Sequence, residues 1–359
     1  METRGATYIA LDFRAIRGEL IAMSSSGDTT LKVVFRLSHM GDVALTTGVL
    51  SHWHETLGDS YIFITRKGNA QLLENHPAVA KIITVDSATL RTGTWLKRAR
   101  ALAKEYANHT LIDLHGTLRS RILSLFWRGP VHRYPKFDLT RRLYDRTHAV
   151  RYRKVLEATN VPQRYAMALG SKPPLPGALV PRIYLSEFEQ DDATLRLQHL
   201  TDSKPLVALH PYATYPAKQW PREHWRALTG LLASAGMDWI IVGRDTSPLF
   251  DKHERDLTNQ TDLREICAIL SRADMLITAD SGPMHLACGV DTPVLALFGP
   301  TAKSWGFYPA GPRDRVLERN LDCRPCSLHG GKACPEEFEC LTGISPDEVM
   351  TTAQEILNT

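Results

Sequence analysis

Short apolar runs alternate along the chain with longer stretches whose apolar residues recur at helical spacing. In the first half the runs fall near 31–37 (LKVVFRL), 61–65 (YIFIT), 81–86 (KIITVD) and 110–116 (TLIDLHG). In the second they fall near 205–211 (PLVALHP), 238–244 (DWIIVGR), 274–280 (DMLITAD) and 293–300 (PVLALFGP). Strands alternating with helices predict parallel α/β architecture in both halves. Between the halves, SKPPLPGALVP (171–181) carries four prolines and little periodicity, which reads as a linker. A chain of 359 residues is also too long for one ordinary core. The expectation is therefore two doubly wound, Rossmann-like domains, 31–175 and 176–359, facing each other across a cleft. Residues 1–30 are expected to be an N-terminal extension without structure, with Met23 an alternative start.

Composition adds exclusions. With 43% hydrophobic and 23% charged residues the chain reads as a soluble globular protein. Its apolar runs are strand-sized, too short to span a bilayer. Glu2, Arg4, Asp12, Arg14, Arg17 and Glu19 interrupt any secretory signal, so a cytoplasmic location is expected. Net charge is only +4, but it is divided unevenly. Residues 1–175 hold 26 Lys and Arg against 14 Asp and Glu, leaving 17 against 25 in the remainder. From Arg119 to Lys154 there are 11 basic residues and 2 acidic ones. A solvated basic face accounts for this; so does an anionic partner such as nucleic acid, a phosphorylated glycolipid or a membrane surface.

Three strand ends carry candidate chemistry, since ligands of such sheets bind at the carboxyl ends of strands. In TADSGPMHLACG (278–289) a strand stops at Asp280, and Ser281, Gly282 and Pro283 open a helix through His285. Gly282 allows close backbone approach, and Pro283 suits a first helical turn. The amides around Ser281, Gly282, Met284 and His285 form a cradle for a diphosphate. In HPYATYPAKQWPREHW (210–225), Thr214 and Lys218 lie in a loop ahead of a helix, where an ammonium reaches a cradled phosphate. Gly243 and Arg244 follow a third strand, a weaker signal for a ribose or base edge. The first-half corner RLSHMGDVALTTG (36–48) has the same strand–glycine–helix form, yet Asp42 follows Gly41 and puts an anion where phosphate would sit.

Together, RLSHMGDVALTTG, DLHGTLRS (113–120), HPYATYPAKQWPREHW and ADSGPMHLACGVDTPVLALFGPT resemble the ADP-heptose:lipopolysaccharide heptosyltransferases, glycosyltransferase family nine, from about residue 31 to the end. The resemblance implies a GT-B fold, with the acceptor on the N-terminal domain and the nucleotide sugar on the C-terminal one. It implies inverting transfer of a heptose from an ADP-sugar to an anionic inner-core sugar of lipopolysaccharide, at the inner face of the membrane and without nucleic acid. It assigns Asp42 as general base, Lys218 to the donor diphosphate with Thr214 beside it, and Asp280 to donor sugar hydroxyls. Ser281, Gly282 and Met284 match the diphosphate turn, with His285 next to it. Gly41, Asp113, His115, Arg119 and Arg142 become acceptor-side candidates, with Arg141, Arg146, Arg151 and Arg153 in the same basic cluster. His39 stands where a small residue is common, Cys288-Gly289 replaces small alanines, and the loop before Lys218 differs by about one residue from some members.

The chemistry of the residues agrees with that assignment. Single displacement needs a base for the acceptor hydroxyl and a sink for diphosphate charge, approaching from opposite faces of the sugar. No cofactor is required for this. The alternatives are an epimerase or hydrolase on a similar fold, or a non-enzymatic nucleotide-sugar or nucleic-acid binding protein.

Cys323, Cys326, Cys334 and Cys340 are spaced C-x2-C-x7-C-x5-C. Such spacing in a cytoplasmic protein suits a structural zinc or iron, with His329 as a substitute ligand; reduced thiols or oxidised pairs are the other reading. Similar cysteines, followed by the Cys340-Leu341, Ile344, Pro346, Val349 pattern, recur in the family. Cys267 and Cys288 read as small buried apolar residues.

Overall fold

The computed structural model describes residues 30–200, 203–331, 334 and 336–359. The expected extension 1–30 lies, apart from Thr30, outside them. In chain order the first half comprises β1 (Leu31–Phe35), α1 (Met40–Leu57), β2 (Ser60–Arg66), β3 (Val79–Val85), α2 (Thr92–Glu105), β4 (Leu111–Asp113), α3 (Leu118–Phe126), β5 (Val131–Arg133), α4 (Asp138–Thr147), α5 (Val150–Glu157) and α6 (Val161–Ala166). The second comprises α7 (Glu187–Arg196), β6 (Leu206–His210), α8 (Arg222–Ser234), β7 (Asp238–Ile241), α9 (Leu263–Leu270), β8 (Met275–Ala279), α10 (Gly282–Gly289), β9 (Val294–Phe298), β10 (Arg315–Glu318), α11 (Glu339–Thr342) and α12 (Pro346–Leu357).

Two five-stranded sheets result, ordered β3-β2-β1-β4-β5 and β10-β9-β8-β6-β7, every pairing parallel. The central strands are near-continuous apolar runs because helices cover both faces, as in β6 (LVALH) and β9 (VLALF), which are buried throughout. The two-sheet expectation is met, and all eight predicted strands form. The sequence reading missed β5 and β10. Both are short edge strands, VHR and RVLE, whose residues are intermediate or exposed, so neither leaves an apolar run.

Strand order reverses between β1 and β4 in one sheet and between β6 and β8 in the other. Such switch points open a crevice at the carboxyl ends of the strands. The residues after β1 are Arg36 to Asp42, and those after β8 are Asp280 and Ser281. Each motif therefore sits at the crevice of its own sheet.

The proline-rich stretch 171–181 falls between the two sheets and leads into a tight seam. Gly48 of α1 lies so close to it that a Cβ would stand 2.1 Å from the Val180 carbonyl oxygen. On the other side, Ile183 donates its amide to Gly289 of α10 at 2.6 Å, and a Cβ on Gly289 would meet Ile183 Cδ1 at 2.7 Å. Glycine at 289 leaves room for that isoleucine. One apolar cluster runs through the seam, joining Val34, Leu45 and Leu50 to Leu276, Met284 and Ala296.

Candidate active site

Packing α1 against α10 brings two helix N-termini face to face. A Cβ on Gly41 would stand 3.0 Å from His285 Cδ2 and 3.3 Å from Gly282 Cα, while one on Gly282 would stand 2.5 Å from Met40 Cε. Only glycine fits this approach without displacement. A cleft of about 470 Å³ opens beside the contact and takes its walls from both halves. Gly41 and Asp42 contribute from one; Thr214, Lys218, Asp280, Ser281, Gly282 and His285 contribute from the other. A second cavity, about 870 Å³, lies beyond Met40, Thr214, Ser281 and Gly282, which line both, and extends to Gly243 and Arg244. The two cavities adjoin at the Ser281–Gly282 turn and are read as one groove.

On the C-terminal side, no side chain caps α10. Ser281 Oγ instead pairs with His210 Nδ1 at 3.1 Å and with Thr278 Oγ1 at 3.3 Å, which leaves the turn's amides unscreened for an anion. Burial pushes His210 and His285 down to about 4, so both imidazoles are neutral near pH 7. Lys218 pairs with Asp280 at 2.5 Å, and Thr301 Oγ1 donates to the same Asp280 oxygen at 2.7 Å. Met284 is fully buried and lines neither cavity. Gly243 is dictated by packing: its φ is +129°, and a Cβ would stand 2.7 Å from His210 Cδ2. Arg244 donates to the Thr261 carbonyl at 3.1 Å.

On the N-terminal side, Asp42 is not a solvated first-turn carboxylate. Its side chain is 16% exposed and pairs with Arg36 Nη2 at 2.7 Å; Tyr165 Oη donates to its other oxygen at 3.4 Å. Burial works to raise its pKa, but the charge and hydrogen bond of Arg36 prevail and hold it below the ordinary carboxylate value. His39, 95% exposed, lies 4.0 Å away. Sequence reading missed Arg36 and Tyr165. The available signal was an arginine closing an otherwise apolar strand.

The other acceptor-side candidates lie outside both cavities. Asp113 is fully buried, and its Oδ1 accepts from the amides of His115 and Gly116, both at 2.9 Å, so it builds the turn after β4. His115 Nδ1 pairs with Ser38 Oγ at 3.2 Å, and burial with the Arg36 charge pushes it down to about 3. Arg119 donates from Nη2 to the Leu90 carbonyl at 3.3 Å. Arg142 points to solvent. Its neighbour Arg141 turns inward, 6.0 Å from the ring centre of Trp305, which lines the smaller cleft. Burial works against the charge of Arg141, and Tyr134, Tyr165 and Asp42 partly offset it.

The cysteines gather behind the donor side. All four line one small cavity with Ala217 and Pro300, next to Lys218 and Thr301. Among the described residues, however, no group of three or more His, Cys, Asp or Glu is placed to hold a metal ion. The zinc or iron expected from the spacing therefore does not fit these positions, and all four thiols are free. Cys267 and Cys288 are buried as expected, with the Cys267 thiol pushed up to about 12.

Two doubly wound sheets, with an uncapped helix N-terminus on one lip and a carboxylate on the other, have the architecture of the GT-B glycosyltransferases. The chain belongs to glycosyltransferase family 9 (heptosyltransferase), whose model matches residues 95–334. It is 27% identical to lipopolysaccharide heptosyltransferase 1 of Pseudomonas aeruginosa, over 90% of this chain and 97% of that one. In fold it is similar to the glycosyl transferase family 9 structure from Veillonella parvula (TM-score 0.73, 20% identity, 93% and 98% of the two chains). It is also similar to the E. coli heptosyltransferase WaaC with ADP-2-deoxy-2-fluoro heptose (TM-score 0.58, 20% identity, 91% and 99%).

Proposed function

We propose that the chain transfers a heptose, with inversion, from ADP-heptose to an anionic inner-core sugar of lipopolysaccharide. The observation that carries this is the meeting of Gly41–Asp42 with the Gly282–His285 turn where the two cavities adjoin. A donor lying along the groove places its nucleoside in the larger cavity beside Gly243 and Arg244. Its diphosphate meets the Ser281–Gly282 turn, and its sugar faces Asp42. The names of the relatives above support the donor and the acceptor class.

Lys218 has two partners in this reading. Without donor it neutralises Asp280; with donor it turns to the diphosphate, and Asp280 is released to accept sugar hydroxyls. Cationic Lys218 and the turn's amides then take the charge that develops on the leaving group. Asp42 removes the acceptor hydroxyl proton from the opposite lip. Lys218→Ala is expected to weaken ADP binding about 10- to 100-fold, as for loss of a charged hydrogen bond. Unchanged affinity by titration calorimetry removes Lys218 from the site. In a thermal-shift screen, ADP should stabilise the protein while UDP and GDP leave it unmoved; equal shifts from all three contradict an adenine-specific cavity.

The acceptor reading rests on Arg141, which lies over the cleft-lining Trp305, and on the basic face beyond it. Leu118, Leu125 and Leu139 are 73%, 80% and 70% exposed, within the segments that carry the arginines. Apolar side chains among cations suit an anionic bilayer surface. Among the described residues no helix is long and apolar enough to cross a membrane, so the contact proposed is peripheral.

A further inference from the structure

We propose that Arg36 is a positioning residue for the reaction: a buried clamp that holds Asp42 Oδ2 and leaves Oδ1 as the oxygen that takes the proton. This rests on the reading of Asp42 as base and goes beyond it.

Arg36 follows β1 directly, and its backbone amide is tied to the Ile64 carbonyl at 3.0 Å. Its guanidinium is fixed on three sides. Nη1 donates to the Leu114 carbonyl, Nη2 donates to Asp42 Oδ2 at 2.7 Å, and the Tyr165 ring lies 5.2 Å from its central carbon. Nε is buried and has no partner among the described residues. An arginine kept in place despite an unsatisfied buried donor is held by its other contacts, and the charged one is Asp42. The two carboxylate oxygens are consequently unequal. Oδ2 carries a short charge-assisted bond, while among the described residues Oδ1 has only the 3.4 Å contact from Tyr165 Oη. In the transfer step the acceptor O–H bond breaks and its proton passes to Oδ1. The acceptor oxygen bonds to the anomeric carbon as the bond from that carbon to the diphosphate breaks, its electron pair leaving with ADP.

Other groups feel or shape this carboxylate. His39 flanks it on its own loop, and His285 faces it from α10. Tyr165 of α6, Tyr134, Arg141 of α4, His115 and His329 also couple to it. Burial holds His115, His285 and His329 down, so they stay neutral near pH 7. The exposed His39 is best removed from the measurement.

The test is the pH dependence of kcat/KM in a His39→Ala background, for Arg36, Arg36→Gln and Arg36→Lys. With Arg36 present the profile should be flat from about pH 8 down to about pH 5, because the carboxylate stays ionised. Arg36→Gln keeps an amide donor but removes the charge, and should move the acid limb up by roughly 1–3 pH units. Arg36→Lys should move it back. A merely structural role lowers the melting temperature without moving the limb. A folded Arg36→Gln enzyme with an unmoved limb overturns the proposal. Should that variant not fold, an acid limb between about pH 5 and 7 with Arg36 intact overturns it equally. If Asp42→Asn turns over normally, the base reading itself has failed; if it is inactive while the limb stays put, only the clamp has.

Discussion

Asp42→Asn should bind ADP as the unaltered protein does and turn over about 10²- to 10⁴-fold more slowly, the range for loss of a positioned general base. The amide keeps the size of the carboxylate and can still accept from Arg36, so the corner holds its shape while losing its proton acceptor. Donor affinity is expected to survive because the diphosphate contacts proposed above, Lys218 and the 281–285 turn, lie on the other lip. Steady-state turnover beside ADP calorimetry separates the two quantities. Turnover within a fewfold of the parent, or a matching loss of ADP affinity, would remove Asp42 from the role of base.

Gly48→Ala should be among the most destabilising single-methyl changes in the molecule, by about 3 kcal/mol, the upper part of the range for overpacking. The added Cβ would stand 2.1 Å from the Val180 carbonyl oxygen and 2.6 Å from that of Leu179. Both are backbone atoms, which cannot swing away as a side-chain end does. Helix propensity alone predicts the opposite sign, since alanine is favoured over glycine inside a helix by about 1 kcal/mol. Gly230, inside α8, is the control: a Cβ there meets nothing within 4 Å, so Gly230→Ala should gain up to about 1 kcal/mol. Urea unfolding of the two variants decides between propensity and packing; two gains would show that the seam between the halves yields.

The contrast between those glycines marks what a sequence can disclose. Gly48 and Gly230 read alike along the chain, and only the path of residues 179–180 over α1 separates them. The central strands were legible because doubly covered parallel strands are apolar throughout, and the edge strands β3 and β7 because each still buries part of an apolar run, whereas β5 and β10, also at edges, bury no residue. The turn at Ser281–Gly282 was legible as a strand-to-helix corner because strand, glycine, proline and helix occur in one continuous segment. The partner of Asp42 was not, although Arg36 lies six residues away. Whether that side chain points into the crevice depends on where the chain after β4 and the helix α6 bring Leu114 and Tyr165. Adjacent Arg141 and Arg142 were likewise indistinguishable until α4 turned one over Trp305 and the other to solvent. Asp113 became an acceptor-side candidate through the resemblance carried by DLHGTLRS; here it is buried and stabilises its own turn. The cysteine spacing suggested a metal, but the loop gathers the thiols around a common cavity without arranging them as ligands.

The central claim is that donor and acceptor meet across one groove, base on one lip and leaving group on the other. The most direct measurement is release of ADP from ADP-heptose by the purified protein, with and without lipopolysaccharide lacking its heptoses. The account predicts ADP only when acceptor is present, one equivalent for each heptose transferred. ADP released at the same rate without acceptor would contradict it and make the protein a hydrolase of its donor.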